Sequence, residues 1–354
     1  MTSPPIKVLI VEDSHTAREL VASILRADPA FQVIGKVGDG EQALEFLEKS
    51  ENPKPDVITM DIHMPKLDGY ETTRRIMESA PIPIVVVSAD EPEAMDKTFR
   101  ALQAGALAVL EKPRGPGHPE YETLAERLRQ TLKAMAEVKV VRRWRRPSQE
   151  TLRPIIKDQK PKAATNVEIV AIGVSTGGPP VLQTILSGLP KDFAAPILIV
   201  QHITPGFLPG LATWLDGSTP FPTRIASNGE TALPGHAYLA PDGAHMGVDK
   251  SGRIALDFSA PEGGLRPAVS FLFRSVAAAF GNRALGVLLT GMGRDGAAEL
   301  KLMKDIGAIT IAQDKESSVV HGMPGEAIKL DAARYVLSPE QIAATLIQLA
   351  GRKP

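Results

Sequence analysis

The sequence predicts an α/β protein built from two doubly wound units, the first with a five-stranded parallel sheet and the second with a mostly parallel sheet. Three observations predict this. Short apolar runs rich in Val and Ile alternate with helically spaced segments through both halves, the pattern of parallel strands buried on both faces. At 354 residues the chain exceeds the usual size of one domain. Between the halves, the composition shifts to a basic stretch with prolines and no sustained period.

In the first half, strands are expected at 6–11, 31–37, 57–60, 84–87 and 108–110, and helices at 17–27, 40–49, 69–79, 94–104 and 121–138. The segment 139–164 carries Arg142, Arg143, Arg145 and Arg146 with Pro147, Pro154 and Pro161, and reads as a solvated linker. A second alternation follows, with strands at 168–172, 197–201, 237–239, 284–289 and 308–312 and helices at 179–187, 206–216, 267–280 and 296–306. The domain limits expected are 5–135, a linker over 136–165, and 166–350.

The formal net charge of -1 provides no global field toward nucleic acid or membrane. With no cysteine there is no disulfide, no thiolate metal site and no cysteine nucleophile. The first apolar run spans only about six residues, too short for a secretory h-region. No apolar stretch approaches the roughly 20 residues needed to span a bilayer. The expectation is a cytoplasmic protein without membrane insertion.

In a doubly wound sheet, functional groups gather at the carboxyl ends of strands. In the first half, Glu12 and Asp13 close the first strand, Asp61 the third, Ser88 the fourth, and Lys112 follows the fifth. Three converging carboxylates repel one another, and a hard divalent cation such as Mg²⁺ removes that cost. One carboxylate then serves as nucleophile toward a phosphoryl group, with Mg²⁺ and Lys112 neutralising the developing charge and Ser88 bonding a phosphoryl oxygen. His15 and His63 lie near this pocket, and neither position demands a metal ligand.

The strings VLIVEDS, DVITMDIHMPKLDGYE, VVVSA and the segment from Gly105 to Pro113 resemble the flavodoxin-like receiver domain of bacterial response regulators. The resemblance implies that Asp61 accepts phosphate from a histidine kinase. It also implies that Asp13, Asp61 and the backbone carbonyl of His63 hold Mg²⁺. The chain departs from the family where Val109 stands at the usual aromatic switch position and Ala108 at a usual Asp.

In the second half, Gly173-Val174-Ser175-Thr176-Gly177 fits G-x-S-x-G at a strand-to-helix turn, which exposes a serine hydroxyl beside a helix N-terminus. A nucleotide-binding glycine turn is the rival, but no G-K-[ST] follows and no acidic residue closes the next strand. A serine nucleophile needs a base and an orienting acid. His202 follows one expected strand, and Asp295 lies in TGMGRDG after another. Asp242 is the rival acid. His236 and His245 read as structural, and His321 borders the cleft in HGMPGEA.

IGVSTGGPPVL, IVQHITPGF, AYLAPDGAHM, RPAVSFLFRSVA and VLLTGMGRDGAAELK resemble the catalytic domain of the chemotaxis protein-glutamate methylesterases. The resemblance implies that Ser175 is nucleophile, His202 base and then acid, and Asp295 the orienter. Thr176 and the glycine-rich loop holding Met292 are implied to shape the oxyanion site, with no cofactor there. The implied activity is hydrolysis of glutamyl methyl esters on methyl-accepting chemoreceptors, with glutamine deamidation as a second reaction. Phosphorylation of the receiver is implied to release that activity. Two alternatives remain at this point: a non-catalytic receptor- or kinase-binding regulator using the same cleft, and a DNA-binding regulator, for which no helix-turn-helix pattern is present.

Overall fold

The structure, a computed structural model, describes residues 4–88, 92–138 and 167–350. The basic segment 139–164, expected as a linker, lies outside the described residues. The chain divides into two compact units, residues 1–147 and 148–354.

In the first unit, strands β1 (Ile6–Val11), β2 (Phe31–Val37), β3 (Val57–Met60), β4 (Ile84–Ser88) and β5 (Ala108–Glu111) form one sheet in the order β2-β1-β3-β4-β5. Every pairing is parallel. Helices α1 (His15–Arg26) and α5 (Tyr121–Ala136) pack together, while α2 (Gly40–Glu48), α3 (Gly69–Ser79) and α4 (Pro92–Ala104) form a second row. β3 is buried throughout, as a central strand covered on both faces must be. Side-chain caps fix three helix starts: Ser14 accepts from Ala17 N–H, Asp39 from Gln42 and Asp68 from Glu71. The Ser14 cap moves the start of α1 to His15, two residues before the periodic pattern suggested. The strand order reverses between β1 and β3, so the crevice for a ligand opens at their carboxyl ends.

The second unit contains β6 (Ile169–Val174), β7 (Ile197–Gln201), β8 (Thr223–Ile225), β9 (Ala237–Leu239), β10 (His245–Val248), β11 (Ile254–Asp257), β12 (Ala284–Leu288), β13 (Ile309–Gln313) and β14 (Tyr335–Leu337). Seven of these form a parallel sheet in the order β14-β13-β12-β6-β7-β9-β8, and β10 and β11 form a separate antiparallel pair. Helices α6 (Gly178–Ser187), α7 (Leu208–Ser218) and α11 (Pro339–Ala350) pack as one group. Helices α8 (Val269–Phe280), α9 (Ala297–Asp305) and α10 (Met323–Lys329) pack as another. The first strand of this unit, β6, lies in mid-sheet between β12 and β7, which makes its carboxyl end the switch point. Among the described residues, no helix is long and apolar enough to cross a membrane.

Candidate functional site

Two constellations occupy the two switch points. In the first unit, carboxylate oxygens of Glu12, Asp13 and Asp61 all lie within 4.8 Å of one another. Glu12 and Asp61 are buried and Asp13 is exposed. Lys112 Nζ donates to Glu12 Oε1 at 3.0 Å and to Asp61 Oδ2 at 2.9 Å. Asp61 Oδ1 accepts from the Ile62 N–H at 2.7 Å. Burial and the facing Asp61 charge push Glu12 up to about 7, although Lys112 opposes the rise. Burial likewise raises Asp61 against the pull of Lys112. Ser88 is buried at the end of β4, and its carbonyl accepts from the Lys112 N–H at 3.0 Å. His15 and His63 are both exposed. All the acidic and basic residues expected in this pocket therefore meet there.

The donor set suits a hard cation. Three oxygen-bearing groups converge, two of them buried, and one lysine leaves the cluster net negative. No hydrogen bond among the described residues occupies the His63 carbonyl.

In the second unit, the sheet register determines which loops meet. Val174 pairs with Gln201, so Ser175 and His202 leave neighbouring strands at the same level. On the other side Gly173 pairs with Leu288, and Ser175 N–H donates to Thr290 O at 3.0 Å. The turn after β6 passes through Gly177 at φ 76°, a left-handed conformation that favours glycine. Gly291 is a second steric requirement, since a Cβ there would lie 2.6 Å from Ser175 Cβ.

His202 Nε2 lies 3.0 Å from Asp295 Oδ2, with both side chains largely buried. The ring N–H is not aimed along that line, so the contact is close but poorly aligned. Asp295 also caps α8 from across the sheet edge: it accepts from Val269 N–H at 2.7 Å and Ser270 N–H at 2.9 Å, and from the Ser270 hydroxyl. This explains why α8 begins at Val269 rather than Pro267, since no local side chain caps it. Burial alone would raise the Asp295 pKa. The His202 contact and the Ser270 bonds outweigh it and hold the carboxyl down to about 2. Ser175 Oγ makes no hydrogen bond to His202. The N–H groups of Thr176 and Met292 have no acceptor among the described residues, and Met292 is exposed.

The competing residues are placed elsewhere. Asp242 Oδ2 accepts from Gly206 N–H at 3.0 Å on an exposed loop. His245 is fully buried, stacks on Phe271 and bonds the Ala260 carbonyl and the Ala268 N–H, a structural role. His236 bonds the Pro234 carbonyl. His321 is joined through a β-bridge to Gly291, in the loop that also carries Met292.

Residues 170–346 match the CheB methylesterase model, and residues 8–118 match the response regulator receiver domain model. The chain belongs to the CheB methylesterase family. The family's protein-glutamate methylesterase/protein-glutamine glutaminase 1 of Syntrophus aciditrophicus is 55% identical over 98% of this chain and 99% of that protein. The corresponding protein of Nitrosospira multiformis is 53% identical over 98% of each chain. The Thermotoga maritima CheB methylesterase catalytic domain superposes with a TM-score of 0.50 at 42% identity, covering 51% of this chain and 98% of that one.

Reasoning from sequence missed the polar supports beneath this CheB-type site: Gln201, Ser270, Thr290 and Gln313. Thr290 Oγ1 donates to Thr176 O at 2.9 Å and accepts from Val320 N–H at 3.0 Å. Gln313 Oε1 accepts from Thr290 N–H at 2.8 Å. One signal was available, since Gln201 and Gln313 close largely apolar strands and Thr290 follows another within two residues.

Proposed function

We propose that this chain is a phosphorylation-regulated protein-glutamate methylesterase that hydrolyses glutamyl methyl esters on methyl-accepting chemoreceptors to glutamate and methanol, and deamidates receptor glutamines. The observation that carries the reading is the convergence of Ser175, His202 and Asp295 from the ends of β6, β7 and β12 at one switch point, with His202 against an ionised carboxylate. The domain limits proposed are 5–135 for the receiver, 136–165 for the linker and 166–350 for the esterase, in a cytoplasmic protein with no nucleic-acid partner.

Asp295 engages Nε2 of His202 and leaves Nδ1 as the nitrogen that takes the Ser175 proton. Ser175 Oγ attacks the ester carbonyl, and its hydrogen bond to the imidazole forms only as substrate seats, since ligand-free sites commonly lack aligned catalytic hydrogen bonds. The free N–H groups of Thr176 and Met292 receive the oxyanion. His202 returns the proton to the departing methoxide, and methanol leaves. Water, deprotonated by His202, then releases glutamate and restores Ser175. With glutamine the leaving group is ammonia.

In the receiver, Asp61 is the phosphorylated residue and a histidine kinase the donor. Asp13, Asp61 and the His63 carbonyl would hold Mg²⁺, which supplies charge neutralisation for phosphoryl transfer when bound. Lys112 and Ser88 contact the phosphoryl oxygens, and Glu12 completes the acidic pocket.

The test is methanol release from methylated receptor cytoplasmic fragments, with Ser175→Ala as control. Release by the parent and none by the variant is expected. Receptor binding without release would replace the esterase by a non-catalytic regulator.

A further inference from the structure

We propose that Gln201 is a positioning residue that aims the Thr176 N–H at the oxyanion and ties the nucleophile turn to the strand carrying His202. Gln201 closes β7 and is only 3% exposed. Its Nε2 donates to two carbonyls, Ser175 O and His202 O, each at 2.8 Å. Both partners are acceptors, so the nitrogen must face them, and its two hydrogens are both used. The amide oxygen is buried with no hydrogen-bond partner and lies against Gly178, where a Cβ would come within 2.3 Å of it. A residue serving only to fill this space would be apolar, because an orphaned buried acceptor is costly.

The Ser175 carbonyl belongs to the same planar trans peptide as the Thr176 N–H, and the two point in opposite directions. Whatever holds that carbonyl therefore sets the direction of the N–H. Gly178 N–H bonds the same oxygen at 2.9 Å, so both of its lone pairs are engaged and the peptide plane is held from two sides. The second Gln201 bond, to His202 O, makes one amide the brace between the oxyanion donor and the base. Neither bond touches substrate, so the expected effect falls on turnover and not on binding.

This inference rests on the esterase reading, and its test separates the two. Gln201→Met is compared with the parent, each as the full chain, for methanol release, thermal melting and the rate at which an alkyl fluorophosphonate labels Ser175. Because one misdirected oxyanion donor is less severe than a deleted one, kcat and the labelling rate are expected to fall about 10- to 100-fold. KM is expected to stay within about twofold, with cooperative melting retained. Labelling needs no receptor, so a parent chain that labels but releases no methanol removes the receptor substrate while the Gln201 comparison still decides. A folded Gln201→Met chain that labels and turns over at the parental rate overturns the proposal, as does a rise in KM with kcat unchanged. A parent chain that neither labels nor releases methanol overturns both. If Gln201→Met does not fold, the side-chain amide of Gln201 is followed by NMR in ¹⁵N-labelled parent protein. Protection from exchange together with a shift on adding an alkylboronic acid supports the brace. Free exchange, or no shift, overturns it.

Discussion

The two switch points of this molecule share a geometry and differ in how they treat charge. Both gather side chains at the carboxyl ends of parallel strands where the strand order reverses. In the receiver, Glu12, Asp13 and Asp61 face one another with a single lysine among them, and burial raises both Glu12 and Asp61. In the esterase, one carboxylate, Asp295, is held by two backbone N–H groups and a hydroxyl, and its burial is outweighed by the His202 contact and the Ser270 bonds, which lower it to about 2. The first site is a cluster of crowded negative charge that a cation relieves. The second is a finished arrangement with an acid that stays ionised down to about pH 2 and neutral supports. The difference teaches that the fold supplies a place, and the local hydrogen-bond donors decide whether it serves as a switch or as a catalyst.

The sharpest break is at the nucleophile. Ser175→Ala is expected to lower ester hydrolysis by on the order of 10⁴-fold or more, measured as methanol release, while phosphate incorporation at Asp61 continues. Asp295→Asn comes next. The amide keeps one acceptor oxygen for the N-terminus of α8 but loses the charge and the second acceptor, so the esterase unit should lose about 2 kcal/mol of stability at neutral pH while still melting cooperatively. Loss of the negative charge beside His202 should lower kcat by about 10³- to 10⁴-fold. A kcat within tenfold of the parent would remove Asp295 from the mechanism.

Mg²⁺ distinguishes the sites from the other side. At 100 times its dissociation constant the ion is expected to stabilise the receiver by about 2.7 kcal/mol, read as a rise in that unit's melting transition. Asp13→Asn should reduce the rise, and the esterase transition should not move. Acid probes the opposite site. Asp295 has a folded-state pKa of about 2, below the ordinary aspartate value of 3.8. Its contribution, about 2 kcal/mol, is therefore fully present above the unfolded value and is lost as pH falls from about 4 toward 2. The slope of esterase stability with pH over that window, compared between the parent and Asp295→Asn, checks the sign. An equal slope in both would show that the carboxylate is not held in this way.

Much of this was legible in the sequence for a physical reason. The strands β1, β2, β3, β7 and β9 have the limits that their apolar-rich runs suggest. Ser175, His202, Glu12, Asp61 and Lys112 stand directly after strands, so sheet topology brings them together, while Asp295 is brought in by the loop that follows β12. Other elements left little trace. β8 and β14 are three residues each, too short for any period, and the β10–β11 pair contains Gly247 packed on Ser275 and Phe271. α11 carried its signal plainly, with Pro339 opening an amphipathic run, and was missed among the late motifs. The supports of the catalytic turn were illegible for a different reason. Gln201 and Thr290 act through main-chain carbonyls and N–H groups of other strands, and those partners appear only once the register is known.

The most direct test of the account is methanol release from methylated receptor fragments by one preparation of the full chain, before and after phosphorylation of Asp61. The account predicts that release rises on phosphorylation, that Asp61→Asn removes the rise, and that Ser175→Ala removes release in both states. Release that is the same with and without phosphate on Asp61 would contradict the link between the two sites.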